Sequence, residues 1–111
     1  MERFLKESEQ SRSLREKFRL CLLALGRSPD SHIYDLDETF LACNRSPEAS
    51  LFIRKIKDFY ENLGNAERRF FVKECLEKDR HYKFWYLGEY QKINYDSAFL
   101  QMQEKIKELM A

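Results

Sequence analysis

Residues 12–26 read RSLREKFRLCLLALG and contain the longest apolar cluster of the chain. The apolar side chains that share one face of an α-helix in this stretch are Leu14, Phe18, Cys21, Leu22 and Leu25. Leu20 and Leu23 fall on the opposite side, which predicts a central helix that neighbours cover from two directions. Gly26 is predicted to end the helix, because glycine readily adopts the left-handed conformation that follows a last turn.

The N-terminal limit of this helix is open between two alternatives. In the first, the helix reaches back to Glu2 through Phe4 and Leu5. In the second, Ser11 or Ser13 caps a fresh start, because a serine side chain satisfies the exposed backbone N–H groups of a first turn.

Residues 28–45 form a looser stretch in which a turn is followed by one short helix. The sequence Ser-Pro-Asp-Ser at residues 28–31 is typical of a turn. The apolar residues that predict the short helix, which ends near Asn44, are Ile33, Leu36, Phe40 and Leu41.

The next helix has a strong start signal. Ser46 suits the N-cap, Pro47 the first helical position, and Glu48 the positive end of the helix dipole. Gly64 is predicted to end this helix. Its predicted buried stripe consists of Phe52, Ile56, Phe59, Tyr60 and Leu63.

Three more helices are predicted in the remainder of the chain. Asn65 caps the first of them. The aromatic-dense residues 81–90 have strand propensity, but no partner strand is evident, so a second helix is favoured there. Asp96 or Asn94 caps the last helix, residues 97–110, whose apolar face holds Phe99, Met102, Ile106, Leu109 and Met110.

Length and composition set the fold class. A chain of 111 residues fits a single domain, residues 1–111. Only three glycines and two prolines argue against a sandwich or barrel of many short strands, and an apolar content of 43% excludes a disordered chain. The sequence therefore predicts an all-α fold, a compact bundle of five or six helices that admits a helix-turn-helix at the C-terminal end.

Charge and hydropathy limit the partners. With 20 Lys+Arg against 19 Asp+Glu, strong non-specific nucleic-acid binding is not indicated. No apolar run approaches the roughly 18 residues of a membrane span, and the N-terminus lacks the basic-then-apolar order of a signal peptide. We therefore expect a cytoplasmic protein with no membrane partner.

Catalytic and metal motifs are weak. Residues 35–39 match the Asp-x-Asp-x-Thr string of aspartyl-phosphate phosphatases, but no strand of the kind that chemistry needs precedes them. No glycine-rich phosphate loop and no Cys-x-x-Cys pair occur, although the chain has three cysteines, Cys21, Cys43 and Cys75. We therefore expect no enzyme, no cofactor, no metal and no small-molecule substrate.

The order of the C-terminal elements resembles a known family. The residues that carry the likeness are Leu63, Glu67, Arg68, Phe70, Phe71, Phe84, Trp85, Tyr95, Asp96, Ser97, Ala98, Phe99 and Lys105. This pattern, over about residues 60–110, resembles region 4 of bacterial sigma factors and, more closely, the small sigma-like helix-turn-helix proteins of phages and genome-reduced bacteria. The resemblance implies a recognition helix at the C-terminal end with an aromatic pair beneath it. The last helix is less basic than is usual in that family.

The resemblance implies a transcription-linked protein that binds DNA, RNA polymerase or a sigma factor through its C-terminal helices. Gln101 suits adenine and Leu100 a thymine methyl group, whereas Glu104 and Glu108 on the same face suit phosphates badly. The alternative is a helical protein–protein interaction module with no nucleic-acid role, in which Leu100 is an apolar anchor. The candidate contact residues are Ser97, Leu100, Gln101, Lys105 and Lys107.

Overall fold

A computed structural model describes residues 2–37, 46–80, 84–88, 90 and 92–111, with side chains from residue 9 in the first helix and from residue 94 in the last. These segments contain no strand and four helices: α1 (Glu2–Ala24), α2 (Pro47–Glu61), α3 (α-helical over Asn65–Phe70, π-helical over Phe71–Leu76) and α4 (Lys92–Met110). The predicted all-α fold is confirmed. The predicted number of five or six helices is wrong for the described part of the chain.

Two predicted helices are replaced by single 3-10 turns. The turn Ile33–Asp35 stands where a short helix was predicted, and it is followed by extended backbone at Leu36. Phe40, Leu41 and Asn44 lie outside the described residues. The turn Trp85–Gly88 stands within residues 81–90, where glycine disfavours a longer helix. Side-chain packing holds both segments: Ile33 and Leu36 are buried, and Trp85 packs against the core.

α1 is one continuous helix from Glu2, which is the first of the two alternatives left open by the sequence. Its last residue is Ala24, and the predicted stop, Gly26, follows with a φ of 77°, in the left-handed region. The Arg27 N–H donates to the Leu22 carbonyl oxygen at 2.9 Å, which satisfies a terminal carbonyl of the helix.

The apolar face of α1 lies at the centre of the core. Leu14, Phe18, Leu22 and Leu25 on this face are buried, and α2, the π-helical part of α3 and α4 all pack against α1. Because these neighbours cover one face, the opposite face remains in solvent. Leu20 and Leu23 are exposed, so the predicted cover from two directions is wrong.

Ser46 caps α2 as predicted, and its hydroxyl oxygen accepts a hydrogen bond from the Ala49 N–H at 3.3 Å. α2 ends at Glu61, before the predicted stop at Gly64. Gly64 is instead the N-cap of α3, so the predicted cap at Asn65 is wrong by one residue.

The buried face of α2 is rotated from the predicted stripe. The buried residues of α2 and the turn after it are Ala49, Ile53, Ile56 and Leu63. Three predicted members lie half-buried at the edge of this face, and they are Phe52, Phe59 and Tyr60. The rotation leaves Tyr60 accessible beside α3.

α4 begins at Lys92, so Asn94 and Asp96 lie within its first turns and neither is the predicted cap. The earlier start places Tyr95 on the same helical face as Phe99 and Met102, and all of these are buried. Burial of Tyr95 thus accounts for the extra turn.

Phe70 is the centre of an aromatic cluster that holds the segment between α3 and α4. Its ring centroid lies 5.6 Å from that of Trp85, 5.9 Å from Tyr90 and 5.6 Å from Tyr95. Tyr86 stacks on Tyr95 with centroids 3.7 Å apart. Aromatic pairs of this kind each contribute about 0.5–1.5 kcal/mol beyond the area they bury. The connection between α3 and α4, residues 77–91, is far longer than the turn of three or four residues in a helix-turn-helix. The helix-turn-helix therefore stays a prediction.

Candidate functional site

The exposed face of α4 carries most of the contact residues predicted from the sequence. Ser97, Gln101 and Lys107 are exposed, and Leu100, which lies between them on the helix surface, is 37% exposed. The structure therefore brings these four side chains to one solvent-facing surface, as their helical spacing requires.

Lys105 differs from the other four residues because it is engaged with α3. Its ammonium group donates a hydrogen bond to the Glu67 carboxylate, and this bond lowers the pKa of Glu67. Glu104 and Glu108 are exposed beside Lys107, so carboxylates outnumber the remaining cation on this face. Such a balance repels a phosphate backbone.

A second surface lies where α2 and α3 meet the 3-10 turn Ile33–Asp35. We call it the α2–α3 cleft; it has a volume of about 640 Å³ and is lined by Tyr34, Tyr60, Asn65, Ala66, Arg68, Arg69, Val72 and Lys73. Three of these described residues are cationic, two are tyrosines and none is a carboxylate. The cleft is therefore locally basic in a chain whose net charge is only +1.

Arg68, on α3, is hydrogen-bonded to the C-terminal end of α2. Its Nε donates to the Tyr60 carbonyl oxygen at 3.0 Å and its Nη2 to the Glu61 carbonyl oxygen at 2.5 Å, so it satisfies the C-terminal end of α2. The guanidinium carbon lies 5.3 Å from the centroid of the Tyr60 ring, a cation–π distance. These contacts fix the positive charge of Arg68 in the lining of the cleft.

Tyr34, from the 3-10 turn Ile33–Asp35, provides an accessible aromatic ring in the lining of the cleft. The residue is 59% exposed, and its ring stacks on His32 with centroids 4.9 Å apart and planes inclined by 6°. A contact with Glu77 holds the His32 ring in turn, because its Nδ1 lies 2.5 Å from a Glu77 carboxylate oxygen. The Tyr34 ring is thus oriented before any ligand arrives.

Arg69 and Lys73 extend the positive charge along the outer side of α3. Arg69 is exposed, and the ammonium group of Lys73 lies 5.4 Å from the Trp85 ring centroid. The two residues are four positions apart, so their side chains lie on one side of the helix. Sequence reasoning missed this cleft because its parts come from three elements; the basic residues of α3 were the only local signal.

Comparison of the chain with protein-family models, with curated proteins and with solved structures finds no match. Within the described segments, no helix combines the length and the apolar character that crossing a membrane requires.

Proposed function

We propose that this protein binds nucleic acid, and that the α2–α3 cleft is its contact surface. The observation that carries this proposal is the composition of the cleft: three cations and an exposed, pre-oriented tyrosine ring, with no carboxylate among the described lining residues. Proteins that bind single strands combine positive charge along the backbone with aromatic rings on which bases stack. The cleft therefore suits a single-stranded segment, with a base on Tyr34 and phosphates beside Arg69 and Lys73.

The resemblance to sigma region 4 supports a different contact surface, the exposed face of α4. On that surface Gln101 and Leu100 read bases while Lys107 contacts phosphate. The two exposed glutamates there, and the pairing of Lys105 with Glu67, weigh against this placement. A transcription-linked role is compatible with either surface.

A protein–protein interaction module is the second candidate function. Leu20 and Leu23 are exposed on the outer face of α1, and Leu51 is exposed on α2. Apolar side chains on one face of a helix are the anchors in one common mode of protein recognition. This candidate requires no nucleic-acid binding by the cleft.

Fluorescence anisotropy of a labelled single-stranded oligonucleotide tests the proposal. If Arg68, Arg69 and Lys73 each contact one phosphate, the logarithm of the association constant falls with the logarithm of salt concentration with a slope of about −2. We expect the double variant Arg69→Gln plus Lys73→Gln to bring this slope below about −1 in magnitude. Tyr34→Ala is expected to weaken binding about tenfold, because a stacked base is lost.

The matched controls lie on α4. Leu100→Ala plus Gln101→Ala, and separately Lys107→Gln, are expected to leave both the affinity and the slope unchanged. Loss of binding in the α4 variants but not in the cleft variants would move the function to the surface that the sequence predicted. No binding to any oligonucleotide at low salt would refute both placements and leave the protein-interaction candidate.

A further inference from the structure

A second, smaller pocket lies between α1, the C-terminal end of α3 and α4. Its volume is about 240 Å³. Its lining residues come from all three of these elements and their ends, and they include Ser11, Arg12, Arg15, Glu74, Lys78 and Phe99. None of these residues lines the α2–α3 cleft. The pocket is therefore a separate site, and its ligand does not depend on the function proposed above.

The π-helical part of α3 places an acidic side chain at the base of this pocket. Glu74 is 1% exposed, and its carboxylate accepts hydrogen bonds from the Trp85 indole N–H at 2.8 Å and from the Lys78 ammonium group. π-helical turns are rare and frequently occur at functional sites. Because Lys78 neutralises Glu74 directly, this pair adds no net charge to the pocket.

Arg15 carries the positive charge of the pocket in a poorly solvated position. Its side chain is 11% exposed, and its Nη1 donates to the Cys75 carbonyl oxygen at 3.1 Å. The nearest carboxylate oxygen among the described residues, on Asp79, lies 3.8 Å from Nε and pairs more closely with Arg19, at 2.7 Å. A guanidinium group has five N–H donors, so Arg15 retains donors for a ligand.

Arg12 and Glu9, both exposed, complete the charged rim of the pocket. Arg12 lies 4.0 Å from Glu16 in a solvent-exposed pair, which holds it only weakly. With Glu74 matched by Lys78, the remaining lining charges are two arginines against Glu9. A single negative charge on a ligand compensates this excess, whereas a dianion leaves one negative charge uncompensated.

We propose that this pocket binds a small organic monocarboxylate, with Arg15 as the residue that pairs with the carboxylate group. The planar fork of an arginine matches the two oxygens of a carboxylate. The Ser11 hydroxyl and the Phe99 ring border the space for the body of the ligand. A volume of 240 Å³ equals that of about eight water molecules in the liquid, which suits a compact molecule such as benzoate.

The only tryptophan of the chain provides the readout, since the Trp85 indole N–H donates to Glu74 at the base of the pocket. We expect benzoate, titrated at constant ionic strength, to shift the indole N–H resonance saturably with a dissociation constant of about 1 mM. Benzamide, a neutral molecule of the same shape, is expected to bind at least about tenfold more weakly, because its amide carries no negative charge to pair with Arg15.

Variants assign the binding to this pocket. Arg15→Gln is expected to weaken benzoate binding about tenfold or more, and Arg12→Gln, which changes an exposed side chain, about threefold. Lys55→Gln on α2 is the matched control and is expected to change nothing. The proposal is overturned if the benzoate shift never saturates, if benzamide binds equally well, or if both arginine variants, folded by circular dichroism, bind benzoate like the original chain.

Discussion

We expect Leu22→Ala to lower the free energy of unfolding by about 3–5 kcal/mol, and Leu23→Ala to lower it by less than about 1 kcal/mol. The two leucines are neighbours in the sequence and lie in the same helix, so helix propensity and backbone effects are closely matched. They differ in burial: Leu22 is 0% exposed, whereas Leu23 is 53% exposed.

Chemical denaturation followed by circular dichroism measures both variants under the same conditions. The large loss at Leu22 combines lost transfer free energy with the cavity that the smaller side chain leaves between α1 and its neighbours. Equal losses at both positions would mean that the outer face of α1 is covered, as the sequence alone predicted, and would contradict the packing of α1 described here.

The second large effect is a loss of stability at alkaline pH that depends on Cys75. This thiol is fully buried in the π-helical part of α3, and burial raises its pKa to about 12 from an ordinary value of 9.0. The Cys75 thiol ionises at a lower pH in the unfolded chain than in the folded chain. Its contribution to stability is therefore complete below about pH 9 and is lost as the pH rises toward 12. A shift of this size corresponds to about 4 kcal/mol over that interval.

Unfolding free energies measured across this alkaline range are expected to fall less steeply for Cys75→Ala than for the original chain. Burial also raises the pKa of Tyr95, and Cys75 is the smallest of the causes of that shift, so most of the Tyr95 contribution is common to both proteins. Cys21→Ala is the matched comparison: burial also raises the pKa of Cys21, but this side chain is only half-buried, so its profile is expected to lie closer to the original than that of Cys75→Ala. Parallel profiles for the original chain and Cys75→Ala would mean that the thiol has the same pKa in the folded and the unfolded chain, and would contradict this prediction.

The elements that the sequence predicted well are those whose signals are local. The stop at Gly26 and the cap at Ser46 depend on backbone conformation and on one nearby hydrogen bond, so a few residues specify them. The cover of Leu20 and Leu23 depends on where the other helices pack, and helical periodicity carries no information about that.

The conformation of the segment before α4 also depends on tertiary packing, which the local sequence does not specify. The sequence predicted a helix over this aromatic-dense segment. Trp85, Tyr86 and Tyr90 instead pack around Phe70 and Tyr95, and this packing stabilises the segment more than a regular helix would. Tertiary contacts of this kind override local propensity.

The sequence predicted a contact surface on α4, but it did not predict the α2–α3 cleft. Four of the five residues predicted on α4 do share an exposed face, because that face follows from helical spacing alone. The α2–α3 cleft joins Tyr34 to Tyr60 and to the cations of α3, and only the folded chain brings these distant positions together. The pairing of Lys105 with Glu67 is likewise a contact between helices that no sequence spacing indicates.

The most direct test of nucleic-acid binding through the α2–α3 cleft is a backbone amide NMR titration with a single-stranded oligonucleotide at low salt. We expect the largest shifts at Tyr34, Arg69, Lys73 and their immediate neighbours, and we expect added salt to reverse them. Shifts confined to the exposed face of α4 around Leu100, or no shifts at any amide, would contradict binding through the cleft.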